Sequence, residues 1–72
     1  MKRVLLEALR ARYEAEIAEA EATINIYLNN SVGIGEHPQH IDEVNKQIEK
    51  IANAKEKLAV LDEFEPERGE TL

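Results

Sequence analysis

The sequence predicts an all-α protein that folds as an antiparallel two-helix hairpin and assembles into a helical bundle as a homo-oligomer. Three observations support this prediction. Apolar residues recur at helical spacing in two stretches of nearly equal length, a short glycine-containing segment separates the stretches, and the 72-residue chain has no cysteine. Because chains this short bury little surface, they usually need a disulfide, a metal or association for stability. Without cysteine, we expect association.

The first helix is predicted over about residues 4–29. No glycine or proline interrupts this stretch, and residues that favour helix dominate it. Asn29, Asn30 and Ser31 are poor helix formers and Gly33 follows them, so we expect the helix to end there. The bulky apolar stripe, with steps of three or four, is Leu6, Leu9, Tyr13, Ile17, Ala20, Ile24 and Tyr27.

The second helix is predicted over about residues 38–64. Pro38 suits the first helical position, because the N–H that it lacks would have no partner there. Pro66 and Gly69 prevent the helix from continuing, so residues 1–64 form the hairpin and residues 65–72 a flexible acidic tail. The expected apolar stripe is Ile41, Val44, Ile48, Ile51, Leu58 and Leu61, flanked by Ala54 and Phe64.

The charge distribution favours antiparallel packing of the two helices. Residues 1–12 carry four basic side chains and one acidic one, whereas acidic residues such as Asp62 and Glu63 gather at the end of the second helix. Antiparallel packing places these regions side by side, and parallel packing does not. Each exposed ion pair contributes only about 0–1 kcal/mol, so the charges indicate orientation and not stability.

A second surface on the first helix is a candidate oligomer interface. A row of small residues lies opposite the bulky stripe, and small side chains let another helix approach closely. Alternatively, alanine fills exposed helical positions simply because it favours helix. Val4, Leu5, Leu28, Val60 and Phe64 also lie off the main stripes. We favour a dimer forming a four-helix bundle. The candidate interface is Ala8, Ala11, Ala15, Ala18, Ala22, Ile26, Val60 and Phe64.

The segment between the helices has three interpretations. The favoured one is structural: Val32 and Ile34 cover the end of the helix pair, and glycine permits the turn. An anion site on the glycine N–H groups is an alternative, although no lysine lies beside it. A metal site at the histidines, with Glu36 or Asp42, is another. We name no metal and no cofactor. The candidate residues of this segment are Gly33, Gly35, His37 and His40.

Arg10, Arg12 and Tyr13 form a cationic and aromatic group that could bind a small nucleotide. The competing role of the arginines is pairing with the acidic end of the second helix, and the competing role of Tyr13 is packing. No carboxylate lies in a recognisable enclosure that would shift its pKa for catalysis, so we expect no enzyme and no catalytic residue.

Bulk properties narrow the classes of partner. The formal net charge of −6 argues against nucleic-acid binding, which needs a basic surface. No stretch of about 18 apolar residues is present, so we expect no membrane span. We therefore expect a cytoplasmic protein whose partners are further copies of itself and another protein.

Over about half of its length, from Tyr27 to Leu61, the chain resembles small helical-hairpin proteins of tailed bacteriophages. The residues that carry this resemblance are Tyr27-Leu28-Asn29-Asn30, Val32-Gly33-Ile34-Gly35-Glu36-His37-Pro38 and Lys50-Ile51-Ala52-Asn53-Ala54-Lys55-Glu56-Lys57-Leu58. The resemblance implies a phage accessory protein in the cytoplasm of a bacterial host, and it implies no activity.

The sequence leaves three functional hypotheses. The first is a non-enzymatic accessory protein whose helical-hairpin oligomer binds a host or phage protein. The second is an oligomer that sequesters a small nucleotide, with Arg10, Arg12 and Tyr13 meeting across subunits. The third is a structural or assembly component of the virion. We favour the first, because it requires apolar surface beyond what one hairpin can bury, and this sequence has such surface.

Overall fold

The structure, a computed structural model, describes residues 2–30 and 37–64. Helix α1 spans Lys2–Asn30 and helix α2 spans His37–Glu63, and the described residues contain no strand. The predicted all-α hairpin is confirmed, and the predicted helix ends lie within two residues of the observed ones. The predicted tail at residues 65–72 and most of the connecting segment lie outside the described residues.

Short polar contacts mark the ends of both helices. The Asn29 side chain donates from Nδ2 to the backbone oxygen of Asn25 at 2.9 Å, within the last turns of α1. At the end of α2, the Phe64 backbone N–H donates to the Leu61 oxygen at 2.9 Å. A bond across three residues tightens the last turn, as is common at helix ends.

The two helices pack against each other in antiparallel orientation. Along α1 from Arg10 to Tyr13 to Tyr27, the contacted residue on α2 moves backwards from Asp62 to Lys57 to His40. The resulting hairpin is a rod with dimensions of 48 × 20 × 16 Å. A 29-residue helix is about 43 Å long, so the rod is one helix long and two helices wide.

The inward face of α1 is the one that the apolar spacing predicts. Every member of the predicted stripe from Leu6 to Tyr27 is buried or half-buried, and Ala20 is the most buried of them. Arg10 is also half-buried. The face therefore runs through positions 6, 10, 13, 17, 20, 24 and 27, in alternating steps of four and three.

The inward face of α2 differs from the prediction at two positions. Ile41 and Ile48 are 72% and 52% exposed, whereas Gln47 is buried and His40 is half-buried. Inward positions follow the same alternation of steps, and Ile41 and Ile48 lie one residue beyond it. Assigning them to the stripe was wrong because polar side chains hold the inward positions near the connecting segment. The observed face is His40, Val44, Gln47, Ile51, Ala54, Leu58 and Leu61.

The hairpin core is small, and much apolar surface remains exposed. Among the described residues, the buried hydrophobic side chains are Ala20, Ala54 and Leu61. None of the helices in the described part of the chain is both long and apolar enough to cross a membrane. The large hydrophobic side chains that remain exposed are Val4, Leu5, Ile26, Leu28, Ile41, Ile48, Val60 and Phe64.

Candidate functional site

Arg10 joins the two helices at the end of the hairpin where α1 begins and α2 ends. Its Nη2 lies 2.5 Å from Oδ1 of Asp62, and the two groups form a charge-assisted hydrogen bond. The Arg10 side chain is only 15% exposed, whereas that of Asp62 is 62% exposed. The aliphatic part of Arg10 thus packs between the helices while its head group reaches the edge. This is the pairing role that the charge distribution suggests as the alternative to ligand binding.

Arg12 lies on a different surface of α1 from Arg10 and Tyr13, and the two inward side chains contact different residues of α2. Arg12 is exposed on the outer side of α1, where its Nε lies 3.6 Å from Oε2 of Glu16, one turn along the same helix. Tyr13 faces α2, and Nζ of Lys57 lies 5.4 Å from its ring centroid, within the range of a cation–π interaction. Within one chain, therefore, the three candidate ligand-binding residues do not converge. Whether they meet across subunits stays a prediction.

An open groove of about 600 Å³ lies between the start of α1 and the end of α2. Its apolar walls come from Leu6 and Leu9 on one helix and from Val60 and Phe64 on the other. We call it the terminal groove. Its size and apolar walls suit an apolar segment of another protein. Its full lining is Leu6, Leu9, Tyr13, Asn53, Glu56, Lys57, Val60, Leu61 and Phe64.

The sequence did not predict the polar rim of the terminal groove. Asn53, Glu56 and Lys57 form it, and none carries a motif. A usable signal was nevertheless present. Once Arg10 is paired with the acidic end of the second helix, an antiparallel alignment places Tyr13 about one turn back along α2, near Lys57.

At the opposite end of the hairpin, His40 packs against Tyr27. The ring centroids are 5.8 Å apart and the planes meet at 77°, the edge-to-face arrangement that aromatic rings prefer. Leu28, Ile41 and Val44 border the same contact and form a smaller open groove of about 480 Å³. His40 therefore has a packing role where α2 begins. The other candidates of this segment, Gly33, Gly35 and the His37 side chain, lie outside the described residues.

The candidate metal site was His37 and His40 with Glu36 or Asp42, and of these the structure describes the side chains of His40 and Asp42. His40, Asp42, Glu43 and Glu49 border an open groove of about 610 Å³. In the described ranges, no three histidine, cysteine or acidic side chains come together as a metal ion requires. Lys46 also lines this groove, and its Nζ lies 3.3 Å from Oε2 of Glu43.

The residues of the candidate oligomer interface are all exposed, but they lie on two surfaces. Ala8, Ala15 and Ala22 lie directly opposite the buried side of α1, with Ala11 and Ala18 beside them, and Ile26 continues along this outer face. Val60 and Phe64 belong instead to the terminal groove on α2. One flat contact through the alanine row therefore leaves Val60 and Phe64 uncovered.

Comparison of the chain with protein-family models, with curated proteins and with solved structures gives no match.

Proposed function

We propose that this chain is a non-enzymatic interaction protein of phage type, working as a homo-oligomeric helical hairpin in the cytoplasm of a bacterial host. The oligomer binds a host or phage protein. One observation carries the proposal: the described residues bury two alanines and one leucine as their hydrophobic core, while eight large apolar side chains stay exposed. Monomeric proteins rarely leave so much apolar surface in water.

The exposed apolar side chains fall into separate regions, which suits two kinds of contact. Leu5 and Ile26 lie on the outer side of α1, where further copies of the chain can pack. Val60 and Phe64 line the terminal groove, which has a polar rim and an apolar floor. Binding surfaces commonly combine an apolar centre with such a rim. We therefore assign self-association to the outer side of α1 and partner binding to the terminal groove.

Self-association is tested by sedimentation equilibrium and by circular dichroism over a roughly hundredfold range of protein concentration. Because association stabilises only the folded chain, we expect the melting temperature to rise with concentration. We also expect the mass to exceed that of one 8.2 kDa chain. A folded monomer whose melting temperature does not depend on concentration would refute this part of the proposal.

Partner binding is tested with two adjacent substitutions that add the same charge. Val60→Glu places a carboxylate in the terminal groove, whereas Ala59→Glu places one on exposed surface outside its lining. We expect a bacterial or phage protein to co-purify with the tagged parent chain and with the Ala59 variant, and to be lost with the Val60 variant. A protein retained equally by all three would not bind this groove, and recovery of no specific protein would count against the proposal.

A further inference from the structure

One row of exposed side chains on α1 has an order that is complementary to its own reverse. Leu5, Arg12, Glu19 and Ile26 follow one another at intervals of seven residues, so they lie along one line of the helix surface. We call this line the outer row. It reads apolar, basic, acidic, apolar in one direction and apolar, acidic, basic, apolar in the other. All four side chains are exposed.

A second α1 running in the opposite direction matches the outer row. Such a helix places Leu5 beside Ile26 of the second copy and Arg12 beside Glu19 of the second copy, and symmetry forms each contact twice. The charges of the two halves of α1 are also complementary in this arrangement. The charged side chains of residues 2–12 are mainly basic, and those of residues 13–21 are all acidic. Oppositely directed helix dipoles add to the preference.

A parallel arrangement of the same face matches less well. In a parallel pair, residues on one side of the contact line lie beside residues from the other side of the partner's contact line. Glu14 then lies beside Glu19, and Ile26 lies beside Glu21. The antiparallel arrangement has a like-charge contact too, between Glu14 and Glu21. Each arrangement also has two attractive pairs, Glu7–Arg12 in the parallel one and Arg12–Glu19 in the antiparallel one. The antiparallel arrangement matches better because Leu5 then packs on Ile26 at both ends, whereas the parallel one leaves Ile26 beside a carboxylate.

We propose that a second copy of this chain docks antiparallel on the outer face of α1, with the two-fold axis crossing between Ala15 and Ala18. This inference rests on the self-association proposed above, on the same face of α1, and adds the direction and the register. Alanines lie between the outer row and a second line of exposed residues, Glu7, Glu14 and Glu21. Because alanine side chains are small, the two helix axes can lie about 8 Å apart, the lower limit of the usual range.

The shape of the proposed dimer differs from a four-helix bundle around one core. The docking face lies opposite the face of α1 that packs on α2. The four helices therefore lie side by side in nearly one layer, with the two α1 helices in the middle and the α2 helices outside. The terminal groove remains open in each subunit, because Val60 and Phe64 lie on the outer helix.

The first test exchanges the charges of the outer row. Arg12→Glu and Glu19→Arg each bring like charges together twice per dimer, so we expect each to raise the dimer dissociation constant about tenfold. The double exchange restores the attraction, and we expect its constant within about twofold of the parent value. Lys55→Glu, on exposed α2 surface, makes the same charge change as Arg12→Glu. It is the matched control for that variant and should leave the constant near the parent value.

The second test uses disulfide formation, for which the parent chain has no competing cysteine. Leu5 and Ile26 are about 31 Å apart along one helix, so a bond between them forms only between chains. Under mild oxidation we expect the Leu5→Cys, Ile26→Cys double variant to yield a covalent dimer in high proportion. Either single variant should yield little, because the two copies of each position lie at opposite ends of the contact.

The outcomes separate this inference from the proposed self-association. A dimer that forms but ignores the charge exchange, or that cross-links readily in the Leu5→Cys single variant, refutes the register while self-association stands. A chain that stays monomeric at all concentrations refutes both. Circular dichroism at 222 nm shows that each variant is still helical, and the double charge exchange keeps the test decisive if a single variant unfolds.

Discussion

Substitutions at Arg10 test whether packing or charge stabilises the end of the hairpin where α1 begins and α2 ends. The aliphatic chain of Arg10 is largely buried, and Arg10→Ala removes the Cγ and Cδ methylene groups. Burial of each contributes about 0.8 kcal/mol, so this variant should lose about 1.6 kcal/mol of packing. The ion pair with the exposed Asp62 adds at most about 1 kcal/mol. We expect Arg10→Ala to lower the free energy of unfolding by about 1.6–2.6 kcal/mol, and Asp62→Asn by about 1 kcal/mol or less.

Arg10→Met distinguishes the two contributions, because methionine keeps an unbranched apolar side chain and removes the charge. We expect this variant to lose about 1 kcal/mol, close to the loss in Asp62→Asn. The assay is urea unfolding followed at 222 nm, with all variants at one protein concentration because association contributes to stability. Repetition in high salt should shrink the losses in Asp62→Asn and Arg10→Met, and should leave most of the loss in Arg10→Ala. If Arg10→Met and Arg10→Ala lose the same free energy, the packing argument is wrong.

Substitutions at three other positions probe the contact between the helices. Ala20→Leu forces a larger side chain into a buried position, and we expect a urea titration to show a loss of about 1–3 kcal/mol. Gln47→Leu replaces a buried polar side chain and should raise the free energy of unfolding by about 1 kcal/mol, which a higher urea midpoint would show. A lowered midpoint would contradict this. Tyr27→Ala should lower the melting temperature and Tyr27→Phe should not, because the contact with His40 uses the ring. Equal effects of the two Tyr27 variants would contradict that assignment.

The hairpin was predictable because its signals act at two independent levels. Uninterrupted apolar spacing and helix-favouring residues define α1 and α2, and the charge at each end defines their relative direction. The Arg10–Asp62 contact follows from that direction. The inward face of α2 was harder, since Ile41 and Gln47 compete for it and hydrophobicity favours the wrong one. A continuous alternation of four and three, counted from Leu61 backwards, identifies His40 and Gln47.

The candidate site was less predictable than the fold for a geometric reason. Arg12 and Tyr13 are neighbours in sequence, but adjacent residues on a helix point about 100° apart, so they occupy different surfaces. Lys57 reaches Tyr13 only through the packing of the two helices. Helix α1 also has apolar residues on two opposite sides, and spacing alone does not distinguish the side that meets α2 from the side that remains exposed.

The small core of Ala20, Ala54 and Leu61 affects how long an unassembled copy survives in a cell. A hairpin with so little buried side-chain volume opens often, and proteases cleave chains in the open form. Assembly would protect the chain by lowering the population of that form. Newly made copies would therefore be degraded quickly until enough had accumulated to assemble, and the amount present would rise steeply once synthesis outpaced turnover.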